Sequence, residues 1–157
     1  MSTDHSVVGN LERSAHEFAE RVAIGGPYST ISYSDLWRGA GAFAGHLERR
    51  GLRHGDRVAL LMENSPEYVI AYYGALLAGG VVVPLNAAAK ARDLAVWLRH
   101  SDAAWLVANP GVEVRRALEA LEDRPRTVLV GESHEFDDAA AVRLVDVLAA
   151  DEQPRQI

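Results

Sequence analysis

Residues 55–85 read GDRVALLMENSPEYVIAYYGALLAGGVVVPL, and this run decides the fold class. Gly55 and Asp56 turn the chain into residues 57–62, a continuous apolar run of the kind that forms a strand buried on both faces. Ser65, Pro66 and Glu67 then supply a capping hydroxyl, a proline at the first helical position and an acid in the first turn, three signals of a helix start. The helix expected over 66–78 is apolar almost all round, which predicts that it is largely buried. Gly79 and Gly80 stop it, and residues 81–85 form a second strand. Strand, crossover helix and strand in this span make a βαβ unit, with parallel pairing and a right-handed crossover.

The same alternation continues on both sides. Upstream, Asn10 is expected to cap a helix whose Leu11, Ala15, Phe18, Ala19 and Val22 share one stripe. Residues 22–24 and 30–33, joined through Gly25, Gly26 and Pro27, read as a small β-hairpin. Ser32 or Ser34 can begin the next helix, with Leu36, Ala40, Phe43, Ala44 and Leu47 on one face. Gly51 closes it, and Arg49, Arg50 and Arg53 suit the negative end of its dipole. Downstream come a helix over 92–100, a strand over 104–107, a helix carrying Val114, Ala117, Leu118 and Leu121, and a strand over 127–130. Residues 131–138 read as polar loop, and 140–149 as a last helix or a short strand plus helix. The pattern predicts an α/β fold with a mostly parallel sheet flanked by helices. The expected organisation is a disordered tail over 1–9, one unit over 10–150, and a tail or the start of a linker over 151–157.

Composition narrows the function classes. At 157 residues, 48% hydrophobic and 24% charged, the chain is long enough to bury a core without staples and has the make-up of a soluble globular domain. The absence of cysteine excludes disulfides, thiolate metal sites and cysteine nucleophiles. A net charge of −6, with both signs interspersed, argues against a nucleic-acid surface. No apolar run reaches the length of a membrane span, because residues 69–84 are broken by Gly74, Gly79 and Gly80. The first residues carry neither the basic nor the apolar region of a secretory signal, so a cytoplasmic location is expected.

Candidate chemistry is sparse. Gly39, Gly41 and Gly45 have the spacing G-x-G-x-x-x-G inside a helix, whereas a dinucleotide fingerprint sits at a strand-to-helix turn; close helix packing is the better account. Lys90, the only lysine, follows Ala87, Ala88 and Ala89, so there is no phosphate-binding P-loop. The six histidines (His5, His16, His46, His54, His100 and His134) show no metal-ligand spacing and read as surface groups. Glu132, His134, Glu135, Asp137 and Asp138 can hold a divalent cation, but a solvated loop is the commoner meaning of such a run. Arg49, Arg50, Arg53, His54 and Arg57 can grip a phosphate, although helix-end charge accounts for most of them. No Gly-x-Ser-x-Gly elbow is present.

Residues 55–68 resemble a G-D-R-V-A-x-x-x-x-N-S-x-E segment found near the N-terminus of the adenylate-forming ligase superfamily: acyl-CoA synthetases, peptide-synthetase adenylation domains and luciferases. Residues 74–86 are similar to its second core motif, L-x-A-G-x-x-x-V-P-x-(N/D). Residues 31–36 resemble the first motif, T-Y-x-E-L, and residues 94–103 resemble E-L-x-x-x-L-x-D-S-x-A. Asn10 and Leu11, followed by residues 21–24, fit the usual opening helix and strand. Four segments in the same order across residues 10–150 make the resemblance specific.

The resemblance implies the first part of the large N-terminal domain of an enzyme that converts a carboxylate and ATP to an acyl-adenylate, then passes the acyl group to the thiol of CoA or a carrier protein. ATP and Mg are implied for the complete enzyme and neither for this chain alone, since the family's phosphate loop, magnesium-binding glutamate and catalytic lysine all come later. No catalytic or metal-ligating residue is therefore expected here, and the chain alone is expected to be inactive. In some CoA ligases a basic residue shortly after the second motif helps hold the CoA nucleotide. Ala87, Ala88 and Ala89 stand there instead, which leaves Lys90 and Arg92 as the candidates for contacting the thiol acceptor. The implied partners are the remaining part of the ligase or a complementing chain, with CoA or a carrier protein as acceptor. The alternative is a non-catalytic interaction or dimerisation module of the same ancestry, acting as a homodimer; an unrelated α/β ligand binder is the third reading.

Overall fold

The computed structural model describes residues 6–27, 29–132 and 141–150. In chain order the elements are α1 (Val7–Glu17), β1 (Val22–Gly25), β2 (Thr30–Ser32), α2 (Tyr33–Arg49), β3 (Arg57–Leu61), α3 (Pro66–Leu77), β4 (Val81–Pro84), α4 (Ala91–Ser101), β5 (Ala103–Ala108), α5 (Val112–Glu119), β6 (Arg126–Leu129), β7 (Val142–Arg143) and α6 (Leu144–Ala149). Strands β1 and β2 form the expected antiparallel hairpin. The other five make one wholly parallel sheet in the order β4-β3-β5-β6-β7.

Alternation along the strands divides the core into two halves, since successive side chains point to opposite faces. Val58, Leu60, Trp105, Val107 and Val128 meet α2, α3 and α6 on one face. Ala59, Leu61, Leu106, Ala108 and Leu129 meet α4 and α5 on the other. Both faces are thus covered by helices, as a parallel sheet requires. Phe43, Leu47 and Leu60 are wholly buried, each contributing about 1.5–3 kcal/mol of hydrophobic stabilisation.

Helix starts follow local chemistry. Ser65 Oγ accepts the N–H of Tyr68 at 3.2 Å to begin α3. Ser32, the first of the two expected candidates, accepts the N–H of Asp35 at 3.1 Å to begin α2. At the other end of α2, Gly51 takes φ +89°, the left-handed conformation that lets the chain leave the helix without strain.

Three expectations are corrected. Helix α1 starts at Val7, not after Asn10, because Ser6 Oγ accepts the N–H of Gly9 at 3.0 Å and nucleates the helix one turn earlier. Residues 6–9 thus belong to a cap and a helix rather than to a tail. Helix α3 is not largely buried: only Ile70, Ala71, Gly74 and Ala75 are inside, one stripe of an apolar cylinder. His46 is no surface group; it is buried, with its ring edge-on to Trp105 at 6.1 Å. The close-packing account of the helix glycines holds for Gly39, where an added Cβ would lie 3.1 Å from Ile70 Cδ1. Residues 141–149 resolve into the strand-plus-helix option. His5, residues 151–157, and His134, Glu135, Asp137 and Asp138 of the acidic cluster lie outside the described residues.

Candidate functional site

Strand order places the site. From β3 the chain crosses by α3 to β4 on one side, then returns by α4 past β3 to β5 on the other. The direction of winding therefore reverses between β3 and β5, and helices leave on opposite faces there. In open α/β sheets ligands bind in the crevice that this reversal opens beyond the carboxyl ends of the strands.

A cleft of about 540 Å³ lies at this point. Its walls come from the loops after three strands: Leu61, Glu63, Asn64 and Ser65 after β3, residues 87–90 after β4, and residues 109–114 after β5. Asn109 holds the walls together. Its Oδ1 accepts the N–H of Glu63 at 3.1 Å and its Nδ2 donates to the carbonyl of Val130 at 3.1 Å, tying the ends of β3, β5 and β6. Asn86 shapes the second wall by accepting the N–H of Ala88 at 2.9 Å.

Lys90 is the only cation among the described residues that line the cleft. It occupies the N-cap position of α4 but makes no capping bond itself. Glu113 of α5 does so in its place, with Oε2 accepting the N–H of Ala91 at 2.7 Å. Lys90 Nζ stands 4.0 Å from the other oxygen of the same carboxylate and remains 76% exposed. Arg92 is exposed on α4 and is not among the lining residues. The structure thus brings Lys90 to the cleft and leaves Arg92 outside it.

The arginine group does not gather into an anion grip. Arg57 is spent on the end of α4: its Nε donates to the carbonyl of Ser101 at 3.0 Å, and its Nη2 donates to the carbonyl and carboxylate of Asp102. Arg53 contributes its backbone N–H to Asp56 at 2.8 Å, which forms the turn into β3.

Asn109 and Glu113 are the residues that sequence reasoning missed. Asn109 read only as part of a turn, and Glu113 only as a first-turn acid. The one local signal was an asparagine directly after a buried strand and before Pro110 and Gly111.

The sequence model described as AMP-binding enzyme matches residues 11–156. The chain belongs to this family. Among curated relatives, the long-chain-fatty-acid–CoA ligase of Bacillus subtilis strain 168 is 35% identical over 97 residues, 62% of this chain and 17% of that protein. A plipastatin synthase of the same organism is 32% identical over 143 residues, 89% of this chain and 6% of that protein. Among solved structures, the anthranilate CoA ligase AuaEII, in complex with anthranoyl-AMP, superposes with a TM-score of 0.83 at 22% identity, covering 100% of this chain and 30% of that one. A benzoate CoA ligase from Burkholderia xenovorans LB400 superposes with a TM-score of 0.80 at 24% identity, covering 95% and 29%. The likeness to the solved structures establishes the fold. The chain spans less than a fifth of these curated relatives and under a third of these solved ones.

Members of this family are AMP-binding enzymes, and the residues present can be tested against a magnesium nucleotide. They do not fit one by themselves. Among the described residues no three His, Asp or Glu side chains converge on a point that could hold a metal. The cleft's one lysine is already beside a carboxylate, and Glu63 adds a second acid to the lining. Also among the described residues, no helix is long and apolar enough to cross a membrane.

Proposed function

We propose that the chain forms the opening α/β layer of an adenylate-forming acid–thiol ligase. In that reaction a carboxylate oxygen attacks the α-phosphorus of ATP and expels pyrophosphate, leaving an acyl-adenylate. A thiolate then attacks the acyl carbonyl and AMP departs. The observation that carries the reading is the family match across residues 11–156. The cleft at the winding reversal supports a role for this layer on the thiol-acceptor side: Lys90 offers a positive charge at its mouth to a phosphorylated acceptor, whether CoA or the phosphopantetheine arm of a carrier protein. The chain contributes walls and one charge, so adenylation belongs to the complete enzyme and this chain alone is inactive.

Carboxylate-dependent ATP–pyrophosphate exchange tests this. The isolated chain should give none with any of a panel of aliphatic and aromatic acids. A single polypeptide in which residues 1–157 replace the matching first third of the Burkholderia xenovorans benzoate CoA ligase should exchange. Exchange by the chain alone overturns its inactivity; a folded fusion with no exchange overturns the ligase reading.

A further inference from the structure

Resting on that reading, we infer that the outward face of α3 (Val69, Tyr72, Tyr73 and Leu76, continued by Tyr33 of α2) is the surface on which the remaining part of the ligase polypeptide packs. A helix on the surface of a water-soluble fold shows polar groups to solvent, and one that is apolar all round is buried. Helix α3 has no charged residue after Glu67, yet only the stripe through Ile70, Ala71, Gly74 and Ala75 is covered among the described residues. At 100° per residue, Val69, Tyr72, Tyr73 and Leu76 lie on the side opposite that stripe, and all four are half-buried. The opposite flank of the sheet differs. There α4 and α5 present Arg92, Asp93, Arg99, Arg115, Arg116 and Glu119 to solvent, the composition of a finished surface.

The patch is aromatic as well as apolar. The rings of Tyr72 and Tyr73 meet edge-on at 5.6 Å. Burial pushes the Tyr73 hydroxyl above its ordinary range, with Tyr72 and Tyr33 close enough to add to the effect. Tyrosines that are partly desolvated and still reachable serve as anchors in interfaces, because the ring buries area while the hydroxyl keeps a partner.

Its occupant follows from size and composition. The AuaEII structure contains the whole of this fold in 30% of its chain, so more than twice this length of polypeptide accompanies such a layer. An uncharged helix face suits an obligate, core-like contact of that kind rather than a transient partner, whose interface is about as polar as ordinary surface. A second copy of the chain is the competing occupant.

The test mixes the purified 157-residue chain with the separately expressed remaining two thirds of the Burkholderia xenovorans benzoate CoA ligase. Association is measured by calorimetry for the wild type, Tyr72→Glu, Leu76→Glu and, on the outer side of α4, Val96→Glu. Circular dichroism melts identify the variants that stay folded. The expected result is association of the wild type and Val96→Glu alike, with at least tenfold weaker association of the folded α3 variants. Equal association of all four, or none by the wild type, overturns the inference. So does a wild-type dimer in light scattering that Tyr72→Glu dissolves, which assigns the face to a second copy. Pyrophosphate exchange by the associated pair is scored separately: association without exchange removes the ligase activity and leaves the surface standing.

Discussion

The carboxylate of Glu113 on α5 caps the first turn of α4 by accepting the N–H of Ala91 at 2.7 Å, so the cap comes from 22 residues further along the chain. The residue at the N-cap position, Lys90, has no acceptor to offer. Replacing Glu113 by Ala should cost about 1 kcal/mol, as the loss of an N-cap does. For a domain of this size that lowers Tm by roughly 2–4 °C. Glu113→Gln keeps an acceptor oxygen and should lose less. Urea melts of the two variants against the wild type check this, and equal stability of Glu113→Ala and wild type would show that the contact does not cap α4.

Lys90 stands 4.0 Å from the same carboxylate, but its side chain is 76% exposed, and pairs of that kind are worth about 0–1 kcal/mol. Lys90→Met should therefore leave the melt almost unchanged. In the fusion with the rest of a ligase it should raise KM for a phosphorylated thiol acceptor and leave pyrophosphate exchange intact. A fall in exchange with no change in acceptor KM would remove Lys90 from the acceptor side.

Gly74 and Gly39 are both helical, and alanine is the better helix former by about 1 kcal/mol. The surroundings decide between them. A Cβ at Gly74 would sit 2.8 Å from the backbone carbonyl oxygen of Ala40 and 2.8 Å from Phe43 Cδ1, which forces α2 and α3 apart. Overpacking costs about 1–3 kcal/mol and outweighs the gain in propensity, so Gly74→Ala should destabilise the fold. A Cβ at Gly39 meets the side-chain tip of Ile70 at 3.1 Å, which can turn aside. Gly39→Ala should be neutral or slightly stabilising. Chemical denaturation of both variants checks the ordering, and a stabilised Gly74→Ala would contradict the close approach of the helices.

Asp35 has its carboxyl held below the usual range, chiefly by the hydroxyl of Ser32, which donates to Oδ2 at 2.9 Å, with Arg38 assisting. A lowered folded pKa means that the group adds stability above its ordinary pKa of 3.8 and loses it as pH falls through the lowered value. The carboxyl is exposed, so solvent screening keeps the effect small. Asp35→Asn should be slightly less stable than wild type at pH 6, and the gap should close by pH 2. Melts at several pH values read this directly. A gap that stays constant with pH would mean that ionisation of Asp35 plays no part.

Much of the fold was legible because its signals are local. Ser65 and Pro66 begin α3, Gly79 and Gly80 end it, and the apolar run before them can only be a strand covered on both sides. Such features act over one turn of helix or a few strand residues, so their chemistry is complete within a short window. Even the miss at α1 was local, since Ser6 and Asn10 were both competent caps one turn apart.

The candidate site was legible only in part. Lys90 stood out as the sole lysine, but nothing near it announced Glu113, and Arg92 appeared equally placed. Asn109 read as a turn residue because its partners, Glu63 and Val130, are 46 and 21 residues away.

By itself the sequence determined the elements, their α/β alternation and the family, all properties carried by neighbouring residues and by motifs in order. Only the tertiary structure decided the strand order β4-β3-β5-β6-β7, and with it the reversal of winding that opens the cleft. It alone separated Lys90 from Arg92, set Gly74 against Ala40, and left one face of an all-apolar helix uncovered. The physical reason is the same in each case: these relationships join residues far apart in the chain, and packing across the sheet, rather than local propensity, brings them together.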